Sequence, residues 1–142
     1  MRILGLDVGK ARIGVALSDE TGTIATPLTT LDGKQKGALL IRQIRNICEE
    51  NEVATVVIGL PLSMSGGDRG ESARMARTFG RAIEGTLDIT VVYMDERFTS
   101  TQAERALLDA NLSRKQRKGV IDKVAASLIL QSYLDGKSRD GI

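Results

Sequence analysis

The run Val53-Ala-Thr-Val-Val-Ile-Gly-Leu60 carries no charged side chain and is closed by Pro61. A stretch this apolar and this rich in β-branched residues reads as a strand buried on both faces, as in the middle of a parallel sheet. Such a strand requires helices above and below it, which sets the fold class before any other segment is considered. The neighbouring segments meet that requirement. Ile89 to Met94 is a second buried strand. Residues 34–51 place Gly37, Leu40, Ile41, Ile44, Ile47 and Cys48 at three- and four-residue steps, and Glu71 to Gly85 does the same through Ala73, Ala76, Phe79 and Ile83. Both are the apolar stripes of helices.

Upstream, residues 2–8, 12–18 and 23–30 are rich in Ile, Leu, Val and Thr and are separated by short turn-forming stretches, which predicts an antiparallel meander. Downstream, Thr101-Gln-Ala-Glu104 has the form of a capping box opening a short helix. Ser113-Arg-Lys-Gln116 offers a second start, and an apolar helix over 120–134 is expected to end at Gly136. The order β-β-β-α-β-α-β-α-α predicts an α/β fold, a mixed five-stranded sheet with helices on both faces. Residues 1–136 form a single domain in this reading, and 137–142 a loose tail.

The chain has 142 residues, no histidine, no tryptophan and one cysteine. Without histidine there is no Ser-His-Asp or Cys-His nucleophile and no imidazole base. Cys48 reads as a small packing residue on a helix stripe. Chemistry is left to carboxylates, hydroxyls, basic side chains and backbone amides, with a hard metal ion on oxygen ligands as the natural addition. Met1 to Asp7 reads as a first strand rather than a signal peptide, and with the lone cysteine this predicts a cytoplasmic protein with no membrane partner.

Three carboxylates stand where charge is costly. Alternation along the first strand puts Asp7 on one face with Ile3 and Gly5, under helices, where an unpaired charge is expensive. The competing reading has Asp7 at a fraying strand end, capping the turn at Gly9. Asp122 is followed at helical spacing by Ala125, Ala126 and Ile129, so it points along an apolar face. Alternatively, a helix beginning at Gly119 would make Asp122 a first-turn acid favoured by the helix dipole. Asp95-Glu96-Arg97 follows a buried strand at its carboxyl end, where open α/β sheets place ligands; a surface ion pair with Arg97 is the plainer alternative. Together the acids suggest a cluster that would repel itself without a cation, as in Mg²⁺ or Mn²⁺ sites. Two metals bridged by such a cluster can deprotonate a water and stabilise the entering and leaving oxygens of a phosphodiester.

Four spaced motifs share one resemblance: Gly5-Leu-Asp7-Val-Gly9-Lys-Ala-Arg-Ile-Gly14-Val-Ala-Leu-Ser-Asp19, Val57-Ile-Gly59-Leu-Pro61, Asp95-Glu-Arg-Phe-Thr-Ser-Thr101, and Ile121-Asp122-Lys-Val-Ala-Ala126 with Ile129-Leu-Gln-Ser-Tyr-Leu134. They resemble the YqgF/RuvX family from residue 2 to about residue 136. The resemblance implies an RNase H-like fold with strand order 3-2-1-4-5. It implies that Asp7, Glu96 and Asp122 are catalytic acids that ligate metal, and that the activity is a nuclease's. Pre-16S ribosomal RNA is the first-choice substrate, with the ribosome or its precursor as an associated partner, and branched DNA the second, as in a Holliday junction resolvase. In that strand order Asp7 and Glu96 lie two strand spacings apart, about 10 Å, so Glu96 would reach back across Gly59. Ser63, Ser65 and Ser100 depart from residues common in the family.

The net charge is only +2, but residues 95–142 hold nine basic and seven acidic side chains, with Arg114-Lys115-Gln116-Arg117-Lys118 as the densest run. Arg114, Lys115, Arg117 and Lys118 are therefore candidate phosphate contacts, as are Lys10 and Arg12 near Asp7, Arg69 in the glycine-rich segment from Leu62 to Gly70, and Arg97. A solvated basic surface is the competing view for each. The scarcity of aromatic residues argues for reading of backbone and shape over base stacking. Two other classes compete. Asp7-Val-Gly9-Lys10 also resembles the first phosphate loop of actin-like phosphotransferases, but those folds duplicate the domain and 142 residues leave no room. A non-catalytic nucleic-acid or ribosome-associated module would keep the fold and bind without turnover.

Overall fold

The structure, a computed structural model, describes residues 1–61, 70–95 and 114–140, with only the backbone for 114–120 and 138–140. The five strands are β1 (Arg2–Val8), β2 (Arg12–Ser18), β3 (Ala25–Asp32), β4 (Val53–Leu60) and β5 (Thr90–Asp95). The described helices are α1 (Gly37–Glu50), α2 (Gly70–Thr86) and α3 (Arg114–Asp140). The strands form one sheet in the order β3-β2-β1-β4-β5. The β1–β2 and β2–β3 pairs are antiparallel, and β1–β4 and β4–β5 are parallel. This is the mixed five-stranded sheet expected from the sequence, in the RNase H-like order that the resemblance implies, with β4 held between parallel β1 and β5 as its apolar run requires. The short helix expected after Thr101 lies outside the described residues.

Strand alternation divides the core in two. Leu4, Leu6, Ile13, Val15, Leu17, Val56, Ile58 and Leu60 face α1 and α2, packing on Leu40, Ile41, Ile44, Ala76 and Ile83. The opposite face presents Ile3, Ala16 and Val57 to Ala126, Ile129, Leu130 and Leu134 of α3. On the strands the first face is built from large side chains throughout, whereas the second mixes them with Gly5, Gly14 and Ala16. On the second face the helix reaches the sheet's backbone: a Cβ added to Gly5 would lie 2.8 Å from Leu130 Cβ, and one added to Gly14 would lie 1.8 Å from the Asp122 carbonyl oxygen. No side chain fits at Gly14, because the obstacle is main chain that cannot rotate aside.

Three element boundaries differ from the sequence expectation, each for a local reason. The third strand starts at Ala25 because the preceding residues are drawn into a turn around Asp19. The Asp19 carboxylate accepts from the Thr23 and Ile24 amides at 2.8 and 3.0 Å and from the Thr21 hydroxyl, and Gly22 takes a φ of +70°. The first helix starts at Gly37 because Asp32 accepts from the Lys34 amide at 2.9 Å, so that residues 32–35 form a turn. The last helix begins at Arg114 and passes through both Gly119 and Gly136 to Asp140, instead of spanning 120–134. An interior glycine costs about 1 kcal/mol against alanine, less than the burial of the Ala125–Leu134 stripe contributes. Near its end Gln131 donates to Asp135 Oδ1 and to the Thr23 carbonyl, and accepts from the Ala25 amide, which ties the helix to the β2–β3 turn.

Two outcomes follow from this packing. Gly14→Ala is expected to destabilise the fold by about 2–3 kcal/mol in urea denaturation. Gly37→Ala, where an added Cβ meets nothing within 4 Å, should be neutral or slightly stabilising. The amide of Ile24, the hydroxyl of Thr21 and the amide of Thr23 hold the Asp19 carboxyl down to a pKa of about 2. A carboxyl whose pKa is depressed on folding stabilises the fold above its unfolded pKa, near 4, and loses that contribution as pH falls toward about 2. Between those limits the thermal midpoint of Asp19→Ala should therefore fall less steeply with acidification than that of the parent chain; parallel curves would contradict the assignment.

Candidate active site

The parallel strands β1, β4 and β5 end at the same edge of the sheet, at Val8, Leu60 and Asp95. This edge includes the point where β1 changes partner from parallel β4 to antiparallel β2, the kind of switch point at which α/β sheets bind ligands.

Asp7 is an internal residue of β1, and its Cα partner across the ladder is Gly14 of β2. Asp7 is therefore not at a frayed strand end, and the Gly9 amide donates to the Arg12 carbonyl at 3.0 Å, which closes the turn. Alternation places Asp7 on the face of Ile3 and Gly5, the face covered by α3. Asp122 reaches the same place from the helix. It is the ninth residue of α3, so the first-turn dipole reading does not apply. Its backbone lies on Gly14, directly across the ladder from Asp7. Asp7 and the backbone of Asp122 thus border Gly14 from different elements, and the absent Gly14 side chain permits the close approach of the helix.

Arg12 supplies the local counter-charge. It opens β2 two residues before Gly14, on the same face, and its Nε donates to Asp122 Oδ2 at 2.5 Å. The pair is partly shielded, with side chains 41% and 21% exposed. Lys10, in the β1–β2 turn, pairs with Glu71 in the first turn of α2 at 2.9 Å, and both side chains are about two-thirds exposed, at 68% and 69%. Lys10 and Arg12, two of the cations assigned to phosphate from the sequence, are therefore held by acids here. The sequence reading gave no role to Glu71 or to Gly14; the clue for Gly14 was its place in the Arg12, Gly14, Ala16 alternation opposite an alanine-rich helix.

Glu96, Arg97 and Arg69 lie outside the described residues; Glu96 follows directly on Asp95, which pairs with Leu60 at the end of β5. Arg114, Lys115, Arg117 and Lys118 lie in the first two turns of α3, continuous with the helix that carries Asp122. Cys48 is buried in the α1 stripe, and burial, with Glu49 adjacent, pushes its thiol up to about 11, which leaves it a packing residue.

Among the described residues no group of three or more Asp, Glu, His or Cys side chains could hold a metal ion. The acids bordering Gly14, Asp7 and Asp122, offer hard carboxylate oxygens, and Asp122 already attracts a cation in Arg12. That chemistry fits Mg²⁺ or Mn²⁺ better than any softer metal. No helix among the described residues is long and apolar enough to cross a membrane.

Comparison with known proteins identifies the family and agrees with the fold. Residues 1–136 match the sequence profile of a family described as "RuvX: Holliday junction resolvase". A Clostridium botulinum (strain Alaska E43 / Type E3) protein named "Putative pre-16S rRNA nuclease" is 47% identical over 139 residues, covering 98% of this chain and all of that protein. A Geobacillus sp. (strain WCH70) protein of the same name is 44% identical over 138 residues, covering 96% and 99% of the two chains. Among solved structures, Thermus thermophilus RuvC bound to a Holliday junction substrate superposes with a TM-score of 0.61 at 13% identity, over 98% of this chain and 96% of that one. The yeast mitochondrial Holliday junction resolvase Ydc2 gives 0.57 at 12% identity, over 96% and 79%. At these identities the structural likeness concerns the fold.

Proposed function

The chain belongs to the RuvX family, and from that premise we propose that it is a cytoplasmic, single-domain, divalent-metal-dependent endonuclease that trims precursor 16S ribosomal RNA. Membership in this hydrolase family supports nuclease activity. The observation that supports the mechanism is that Asp7 and the backbone of Asp122 border Gly14 from unrelated elements, with the Asp122 carboxylate on the face that Arg12 and Gly14 share. The choice of RNA rests on the full-length identity to proteins named for that substrate.

In this reading Asp7 and Asp122 hold Mg²⁺ or Mn²⁺ together with Glu96. When bound, the ion supplies Lewis-acid stabilisation of the entering and leaving oxygens of the phosphodiester. The chain's own residues supply the rest. The rigid β1 and α3 backbones hold two of the carboxylates, so little reorganisation is needed at the moment of reaction. Arg12 and Lys10 lie at the edge where the scissile strand would pass, and the basic first turns of α3 extend that surface toward neighbouring phosphates. With no histidine in the chain, proton transfer falls to water and carboxylates.

A second reading has a specific basis: the family description names Holliday junction resolution, and RuvC bound to a junction shares the fold. One assay separates the two. Purified protein with Mg²⁺ or Mn²⁺ is expected to cut a precursor 16S RNA fragment and leave a four-way DNA junction uncut; the reverse preference would move the assignment to branched DNA. Asp7→Asn, Glu96→Gln and Asp122→Asn should each lower kcat by about 100-fold or more while RNA binding persists. Full activity in Asp7→Asn would refute the metal-site reading, and RNA binding without turnover under every metal condition would identify a non-catalytic module. Replacing Arg114, Lys115, Arg117 and Lys118 together by Gln should flatten the dependence of log binding constant on log salt by up to about 3; an unchanged slope would remove the first turns of α3 from the interface.

A further inference from the structure

We propose that Arg12 is an exchangeable counter-ion that couples metal binding to phosphate binding: its guanidinium holds Asp122 while no divalent ion is bound, and is released to a nucleic-acid phosphate when the ion takes that carboxylate. The inference rests on the reading of Asp122 as a metal ligand and adds to it a role for Arg12. Three observations carry it. The Arg12 Nε donates to Asp122 Oδ2, a charge-assisted hydrogen bond. Asp122 is the better shielded partner, at 21% exposure, so its charge is not simply left to water. Arg12 is fixed at the first position of β2, two residues from Gly14, which pairs with Asp7 across the ladder and lies against the Asp122 backbone. Its backbone therefore stays beside the site when its head group leaves.

The electrostatics give the exchange its direction. At equal distance a divalent ion attracts a carboxylate twice as strongly as a guanidinium does, and it takes oxygen ligands at shorter range. A guanidinium displaced from one oxyanion keeps its planar fork of donors, which suits a phosphate in bidentate geometry. The two binding events then favour each other through Arg12, and the coupling is reciprocal: the factor by which metal tightens phosphate binding equals the factor by which phosphate tightens metal binding. Lys10 lacks this position. Its pair with Glu71 is exposed on both sides and so contributes little, and Glu71 is not one of the acids bordering Gly14. It is the matched control for loss of one positive charge at the same edge.

The test is a titration of the full chain with Mn²⁺ alone, read by the paramagnetic resonance of the free ion, with folding checked by circular dichroism. Arg12→Gln is expected to bind Mn²⁺ about fivefold more tightly than the parent chain, and Lys10→Gln to stay within about twofold. In parallel, anisotropy of a labelled RNA oligonucleotide is measured with and without Ca²⁺, which takes the same class of oxygen ligand. The metal-induced tightening seen in the parent chain should shrink in Arg12→Gln by about the same fivefold factor. Equal Mn²⁺ affinities in Arg12→Gln and the parent, or equal gains in Arg12→Gln and Lys10→Gln, would overturn the exchange role. If Asp122→Asn bound Mn²⁺ as the parent does, the metal-site reading itself would fail and the exchange with it. Loss of affinity in Asp122→Asn with no change in Arg12→Gln would sink the exchange alone. Arg12→Lys, which keeps the charge but loses the fork, gives a smaller gain in the same direction and serves if Arg12→Gln does not fold.

Discussion

The contact between the backbone of α3 and Gly14 of β2 organises this molecule. A Cβ at that position would stand 1.8 Å from the Asp122 carbonyl oxygen, so helix and sheet touch main chain to main chain. Close approach on this face requires small residues on both sides, and they are present: Gly5, Gly14 and Ala16 on the strands, Ala125 and Ala126 on the helix. The opposite face has the reverse logic. There, large aliphatic side chains of the sheet pack on α1 and α2 and form the larger of the two buried clusters. One face therefore serves mainly stability, and the other trades side-chain volume for precise placement of a carboxylate.

That placement has an electrostatic cost which the same few residues answer. The Asp122 backbone rests on Gly14, whose partner across the ladder is Asp7, so two acids border one glycine, and like charges disfavour each other. Arg12, on the same strand and face as Gly14, stands against Asp122. Lys10 and Glu71 form a second pair at the same edge, linking the β1–β2 turn to the start of α2. The edge is thus a set of charges in balance, and balanced charges of this kind respond when a divalent cation or a polyanion arrives.

The long α3 helix joins packing to charge distribution. Because it starts at Arg114 and not near Gly119, the basic run and Asp122 share one rigid element, and their separation is set by helical rise. The same fact explains why the dipole account of Asp122 fails: the acid lies well past the first turn, where the macrodipole has faded. At its other end α3 is tied through Gln131 to the β2–β3 turn, which Asp19 shapes. The helix that presents Asp122 is therefore secured to the sheet beyond its apolar stripe.

Much of this was legible in the residues, and the remainder was not for a definable reason. Period alone predicted the strands and the stripes of α1 and α2, because side-chain alternation and helical spacing are local properties that burial on one face imposes directly. The apolar run Val53–Leu60 predicted a central strand, and the misfit of Asp7 and Asp122 with their faces marked both as candidates. Boundaries were less legible: Asp19 and Asp32 draw their neighbours into turns through side-chain hydrogen bonds that no periodicity encodes, and packing carried α3 through two glycines. Residue types and their faces were set by sequence alone. Which charges meet was decided only by the tertiary structure, since Arg12 and Asp122 are 110 residues apart and come together because α3 rests on Gly14.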